Sequence, residues 1–97
     1  MSRAAVLETL SQHRADLRTR FGVKSLALFG SVARDEAGPG SDVDVLVAFH
    51  RSPGFDGYMA LKWHLEELLG CRVDLVMDGA LLPAARRIVE AEAVRVA

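Results

Sequence analysis

The sequence predicts an α/β (α+β) domain in which a small sheet carries helices mainly on one face. Segments with helical and with strand character follow one another in the order α-β-α-β-α-β-α. The clearest strand alternates Val43, Val45 and Val47 with a second set that includes Asp42 and Asp44. This period of two is typical of a sheet with one buried face. With 97 residues, the chain has room for one domain, residues 1–97.

The N-terminal part is predicted to form a helix, a strand and a short second helix. The first helix covers about residues 3–20, with Ser2 as its cap and Gly22 at its end. A largely apolar strand follows over residues 24–29, and Gly30 opens the brief second helix. The apolar stripe of the first helix consists of Val6, Leu10, Leu17 and Phe21.

A loop rich in glycine and proline, residues 37–41, separates this part from the rest of the chain. The remaining elements are a strand over 42–49, a helix over 57–69 that Gly70 ends, a strand over 72–77, a turn at 78–79 and a helix over 82–90. Residues 94–96 fit either a short terminal strand or a continuation of the last helix.

The composition is that of an ordinary globular protein and excludes several functional classes. Apolar residues make up 51% of the chain, and the formal net charge is -1, which argues against a basic nucleic-acid groove. No apolar stretch approaches the length of a membrane span, and a charged residue follows too soon at the N-terminus for a signal peptide. The single cysteine, Cys71, cannot form an internal disulfide. We therefore expect a cytoplasmic protein.

The most informative motif is Gly30-Ser31 followed, after ten residues, by Asp42-Val43-Asp44. Side chains two apart on a strand project from the same face, so both carboxylates point one way. They lie beside a turn of small residues whose backbone N–H groups can meet an anion. Two carboxylates held together repel each other, and Mg²⁺ prefers oxygen ligands shared with substrate phosphates. The motif therefore predicts a site for a metal–nucleotide complex.

These residues resemble the DNA polymerase β-like nucleotidyltransferases, in particular their smallest branch, the minimal nucleotidyltransferases that partner HEPN proteins in toxin–antitoxin pairs. The resemblance covers nearly the whole chain and is carried by the stretches 28–36 and 41–47. It implies the polymerase β-like fold with a small mixed sheet. The family also has a third carboxylate on a later strand, and Asp74 matches that position.

The resemblance assigns a role to each candidate residue. It implies that Asp42, Asp44 and Asp74 are both catalytic and metal-binding, holding two Mg²⁺ ions for which Mn²⁺ can substitute. Asp74 would also help to activate the incoming hydroxyl group. Gly30 would let the backbone approach the triphosphate closely, and Ser31 would donate a hydrogen bond to it. ATP as the substrate is implied by the family alone.

Several positions near the motif allow two interpretations. Arg34 could reach the nucleotide phosphates or could pair with Glu36 or Asp35. Asp35 stands where the family commonly has a glycine, and aspartate tolerates turn-like backbone better than most residues. An Asp-x-Asp pair alone is often a solvated strand end. Asp74, set between apolar neighbours, is expected to need a partner or an ion.

A second apolar patch is predicted on the helix over residues 57–69. Helical geometry brings Met59 and Trp63 together, roughly opposite the stripe that contains Leu61 and Leu65. Such a patch favours a partner surface or a homodimer, and the alternative is that the last helix or a loop covers it.

The resemblance implies a metal-dependent nucleotidyltransferase acting as an antitoxin, which moves AMP from ATP onto a tyrosine of a HEPN-like toxin. We expect the acceptor to be bound by another chain or to lie across a dimer interface, because we see no segment that could form a separate substrate domain. Two alternatives remain: a non-catalytic antitoxin that acts by binding alone, and a small-molecule nucleotidyltransferase completed by a separate subunit.

Overall fold

The computed structural model describes residues 2–96, which fold into five α-helices and a four-stranded sheet. In chain order the elements are α1 (Arg3–Gln12), α2 (Arg14–Phe21), β1 (Val23–Phe29), α3 (Gly30–Ala33), β2 (Val43–Phe49), α4 (Gly54–Leu69), β3 (Val73–Met77), α5 (Pro83–Glu92) and β4 (Val94–Arg95). A short 3₁₀ turn, Asp78–Ala80, follows β3. None of the helices within these residues combines the length and apolar character of a membrane span.

The sheet is mixed and has the strand order β3-β2-β1-β4. β1 pairs antiparallel with both β2 and β4, whereas β2 and β3 run parallel. The predicted small mixed sheet is confirmed. The terminal segment forms a strand rather than extending the last helix, which settles the alternative left open at residues 94–96.

One face of the sheet forms the hydrophobic core beneath α1, α2, α3 and α4. The alternating valines of β2 are fully buried there, as the period of two predicts. The helices contribute a set of buried aliphatic side chains to the same core: Val6, Leu10, Leu17, Val32, Leu61 and Leu65. Asp44, which lies between two of the valines, therefore points to the opposite face of the sheet.

The prediction of one continuous helix over residues 3–20 is wrong, because the chain turns at His13. The backbone N–H of His13 donates to the carbonyl of Leu10 rather than to that of Thr9. The His13 ring lies within hydrogen-bond distance of the Thr9 carbonyl, with Nδ1 at 2.8 Å. The His13 ring thus lies against the Thr9 carbonyl, which in a continuous helix would accept from the His13 backbone N–H. The next helix begins at Arg14.

The other elements begin and end close to the predicted positions, with one difference that affects the site. The last helix continues to Glu92, two residues beyond its predicted end at residue 90. Glu92 is therefore the last residue of the helix, and its side chain contacts the turn at Gly30.

Candidate functional site

The carboxylates of Asp44 and Asp74 come together across two neighbouring strands. In the parallel pairing of β2 with β3, Asp44 lies directly opposite Asp74, on the face of the sheet away from the core. Asp44 is half-buried, and burial raises the pKa of its carboxyl group. The charges of Asp74 and Asp42, a hydrogen bond with Asp74 and the charge of Glu92 raise this pKa further. A cation placed beside Asp44 would therefore favour its ionised form.

Asp42 lies beside this pair but immediately before β2, which begins at Val43. Its carboxylate is 3.4 Å from the guanidinium of Arg72, and both side chains are exposed. Asp42 therefore pairs with Arg72 and is still near enough to Asp44 for its charge to raise the pKa of Asp44.

Asp74 is exposed to solvent on an edge strand, and its partner in the site is the carboxyl group of Asp44, with which it shares a hydrogen bond. Water can solvate a carboxylate in that position. The parallel register of β2 and β3 places Asp74 directly opposite Asp44.

Gly30 follows β1 and touches Asp44 so closely that no side chain would fit. Its φ is +72°, in the left-handed region that favours glycine. A Cβ atom added at Gly30 would lie 2.1 Å from Oδ2 of Asp44, a distance at which something must move. The close packing arises because Phe29, the last residue of β1, pairs with Asp44 in β2.

The backbone N–H of Gly30 donates a hydrogen bond of 2.9 Å to Oε1 of Glu92. Oε2 of the same carboxylate accepts from Nη1 of Arg34 at 2.7 Å. Both contacts lower the pKa of Glu92 and favour its ionised form, and the contact with Arg34 has the larger effect. Nothing in the sequence predicts this contact, because Glu92 lies 62 residues from Gly30 and belongs to no motif.

Arg34 pairs with acidic side chains on two sides. Besides Glu92, its Nε donates to Glu36 at 2.8 Å, which was one of the two interpretations left open by the sequence. Asp35 adopts a φ of +59°, as a residue in a glycine-like turn must, and its Oδ1 accepts from the backbone N–H of Arg3. Ser31 is half-buried at the start of α3, beside Gly30.

The donor set of this site consists of carboxylate oxygens, which suits a hard cation such as Mg²⁺ or Mn²⁺. Within residues 2–96, however, no three histidine, cysteine or acidic side chains form a ready-made metal site. Asp42, the third carboxylate of the motif, pairs through Oδ1 with Arg72.

A separate apolar groove lies at the far end of β3, away from the carboxylates. It encloses about 430 Å³ and is lined by residues that include Phe55, Tyr58 and Met77. None of the candidate residues of the sequence motif lines it. The groove is therefore not part of the candidate site.

Residues 10–96 match the family model of the nucleotidyltransferase domain. The chain is 45% identical over 87 residues to the protein adenylyltransferase MntA of Thermococcus cleftensis, covering 90% of this chain and 88% of that protein.

Solved structures share the fold. A protein classed provisionally as a minimal nucleotidyltransferase superposes with a TM-score of 0.82 at 39% identity, covering 97% of this chain and 95% of its own. The Shewanella oneidensis complex of a tri-AMPylated HEPN toxin with its MNT antitoxin contains a chain that superposes with a TM-score of 0.68 at 17% identity, covering 94% of this chain and 71% of its own.

Proposed function

The chain belongs to the nucleotidyltransferase domain family, and from this membership we propose that it is an antitoxin that transfers AMP from ATP to a hydroxyl group of a HEPN-like toxin. The observation that carries the proposal is the position of Asp44, which lies beside Asp74 on the next strand and against the Gly30 turn. The relative from Thermococcus cleftensis bears the name protein adenylyltransferase, which supports transfer of AMP to a protein.

Each residue of the motif has a part in this reaction. Asp42, Asp44 and Asp74 would hold two Mg²⁺ ions, which supply the positive charge that the phosphates and the reacting oxygens need. The Gly30 backbone N–H and the Ser31 hydroxyl would donate to the triphosphate, and Arg34 would add a positive charge beside it.

The transfer forms one bond to the α-phosphorus, breaks another, and moves one proton. The acceptor oxygen, most simply the phenol of a tyrosine, attacks the α-phosphorus of ATP, and the bond to the β-phosphate breaks, so that pyrophosphate leaves. Asp74 receives the phenol proton. Its exposure on an edge strand suits this role, because a large acceptor can approach it from solvent.

The partner is proposed from two sources. The family resemblance implies a HEPN toxin, and the fold is shared with a chain of the solved complex between a tri-AMPylated HEPN toxin and its MNT antitoxin. A HEPN-like protein encoded beside this chain is the acceptor to test first.

A second function, an antitoxin that acts by binding alone, is favoured by one observation. The described residues contain no ready-made metal site, and Asp42 is paired with Arg72. Nucleotide binding separates the two functions, because an antitoxin that acts by binding alone does not need ATP.

Calorimetry with ATP, in the presence and absence of Mg²⁺, tests the enzymatic proposal. We expect binding that requires Mg²⁺ or Mn²⁺ and that is lost in the double variant Asp42→Ala/Asp44→Ala. Equal weak heats with and without the metal, for every common nucleoside triphosphate, would contradict the proposal and favour the binding antitoxin.

A further inference from the structure

The carboxylate of Glu92 occupies the backbone N–H of Gly30 and one N–H group of Arg34, two of the donors that the proposed nucleotide site offers. Its two oxygens accept from the Gly30 backbone N–H at 2.9 Å and from Arg34 at 2.7 Å. The side chain of Glu92 is only 23% exposed, so it is held against the turn rather than lying free in solvent.

A carboxylate and a phosphate compete for donors of this kind, because both present negatively charged oxygens to N–H groups. Each backbone N–H donates one strong hydrogen bond, and the Gly30 N–H already makes one. A triphosphate that accepts the hydrogen bond of the Gly30 N–H must therefore break the contact that Glu92 makes there. It would also meet the negative charge of Glu92 if that side chain stayed in place.

We propose, on the basis of the function proposed above, that Glu92 is a built-in competitor of the nucleotide. In the free protein its carboxylate holds the Gly30 turn and Arg34, and the triphosphate displaces it on binding. The affinity for nucleotide is thereby set by a residue outside the sequence motif. Because Glu92 is the last residue of α5, nucleotide binding also releases the end of that helix from α3.

Glu92→Gln tests the proposal, because it keeps the shape of the side chain and removes its charge. We expect Mg²⁺ with a non-hydrolysable ATP analogue to bind about tenfold more tightly to this variant than to the wild type, as the loss of a charge-assisted competitor implies. The measurement is the Kd from calorimetry, with a thermal melt to verify that the variant is folded.

Two control variants separate the effect from a general change in charge. Glu90→Gln lies on the same helix and removes the same charge, but Glu90 pairs with Arg86 at 3.4 Å instead. Glu36→Gln removes the other partner of Arg34, and Glu36 makes no hydrogen bond to the Gly30 N–H. We expect both controls to change the Kd by less than about threefold, since rim charges contribute little.

The outcomes distinguish this inference from the proposed function. Wild-type binding that requires Mg²⁺, with an equal or weaker affinity in Glu92→Gln, overturns the competitor and leaves the proposed function standing. An equal gain in Glu90→Gln overturns it as well. Failure of the wild type and of Glu92→Gln to bind any nucleotide overturns both.

A measurement on the wild type keeps the test valid if Glu92→Gln does not fold. When the Mg²⁺ complex of the analogue is added, the backbone amide resonances of Gly30 and of residues 91–94 should shift together, because the carboxylate is released. A shift at Gly30 with no change in residues 91–94 would contradict the displacement of Glu92.

Discussion

At the scale of single residues, Gly30 is the position where both the backbone conformation and the neighbouring Asp44 side chain require a glycine. The chain adopts a positive φ there, and any Cβ would overlap the Asp44 carboxylate. The family resemblance implies a close backbone approach at Gly30, but toward a triphosphate. In the free protein the close neighbour is Asp44 itself.

Gly30→Ala should destabilise the protein more than an ordinary glycine replacement at positive φ. We expect a loss of about 1 kcal/mol from backbone strain alone, and clearly more in total because Asp44 must move. Gly22→Ala is the matched control, since Gly22 has a φ of +69° with nothing within 4 Å of an added Cβ. Urea unfolding measures both, and equal losses would show that Asp44 does not press on Gly30.

Asp74→Asn should separate charge from structure at the site. The Asp74 side chain is exposed, and its negative charge repels that of Asp44 on the neighbouring strand. We therefore expect the free energy of unfolding to be unchanged or slightly raised, while transfer of AMP is lost. A variant that unfolds would mean that Asp74 is a structural residue, and its assignment as a catalytic residue would be wrong.

At the scale of elements, the strands could be predicted closely and the helices less well. The alternating valines of β2 predict a strand with one buried face. The observed strand begins at Val43, one residue after the predicted start. The break at His13 could not be predicted, because it depends on a histidine ring reaching a carbonyl that helical spacing assigns to the backbone. The approach of Glu92 to Gly30 could not be predicted either, since only the packing of α5 brings them together.

Glu66 joins two elements, and its contribution to stability should depend on pH. Its carboxylate in α4 accepts from Lys62 at 2.8 Å and from the Val73 backbone N–H at 3.0 Å, where β3 begins. These contacts lower the pKa of Glu66 below its usual 4.5, the contact with Lys62 contributing most. The stabilisation is therefore present above the pKa of the unfolded chain and is lost as the pH falls through the lower, folded value.

We expect Glu66→Gln to lower the melting temperature at pH 7, and the difference from wild type to shrink as the pH falls below about 4.5. The exposed neighbour Glu67→Gln is the control and should have little effect at either pH. Thermal melts across this range measure the difference. A difference that grows toward acid would contradict the assigned contacts.

At the scale of the whole molecule, the fold leaves one face of the sheet for chemistry and places most helices on the other. The catalytic and metal-binding roles of Asp42, Asp44 and Asp74 remain predictions, as does the homodimer through Met59 and Trp63. Trp63 is 60% exposed, so neither the last helix nor a loop within the described residues covers it fully.

Trp63→Ala should weaken self-association or binding of the partner without changing the affinity for nucleotide, because the residue lies on α4 rather than in the site. Sedimentation and partner pull-down measure association, and calorimetry with ATP verifies the site. Unchanged association in both assays would mean that this exposed tryptophan belongs to no interface.

We propose that this chain transfers AMP to a protein. This proposal is tested by the intact mass of a HEPN-like protein, taken first from a gene beside that of this chain, after incubation with the wild-type chain, ATP and Mg²⁺. We predict a gain of one or more AMP units, which is abolished when Asp42→Ala/Asp44→Ala replaces the wild type. A HEPN-like protein that gains no mass yet is still neutralised by the wild-type chain would contradict the claim.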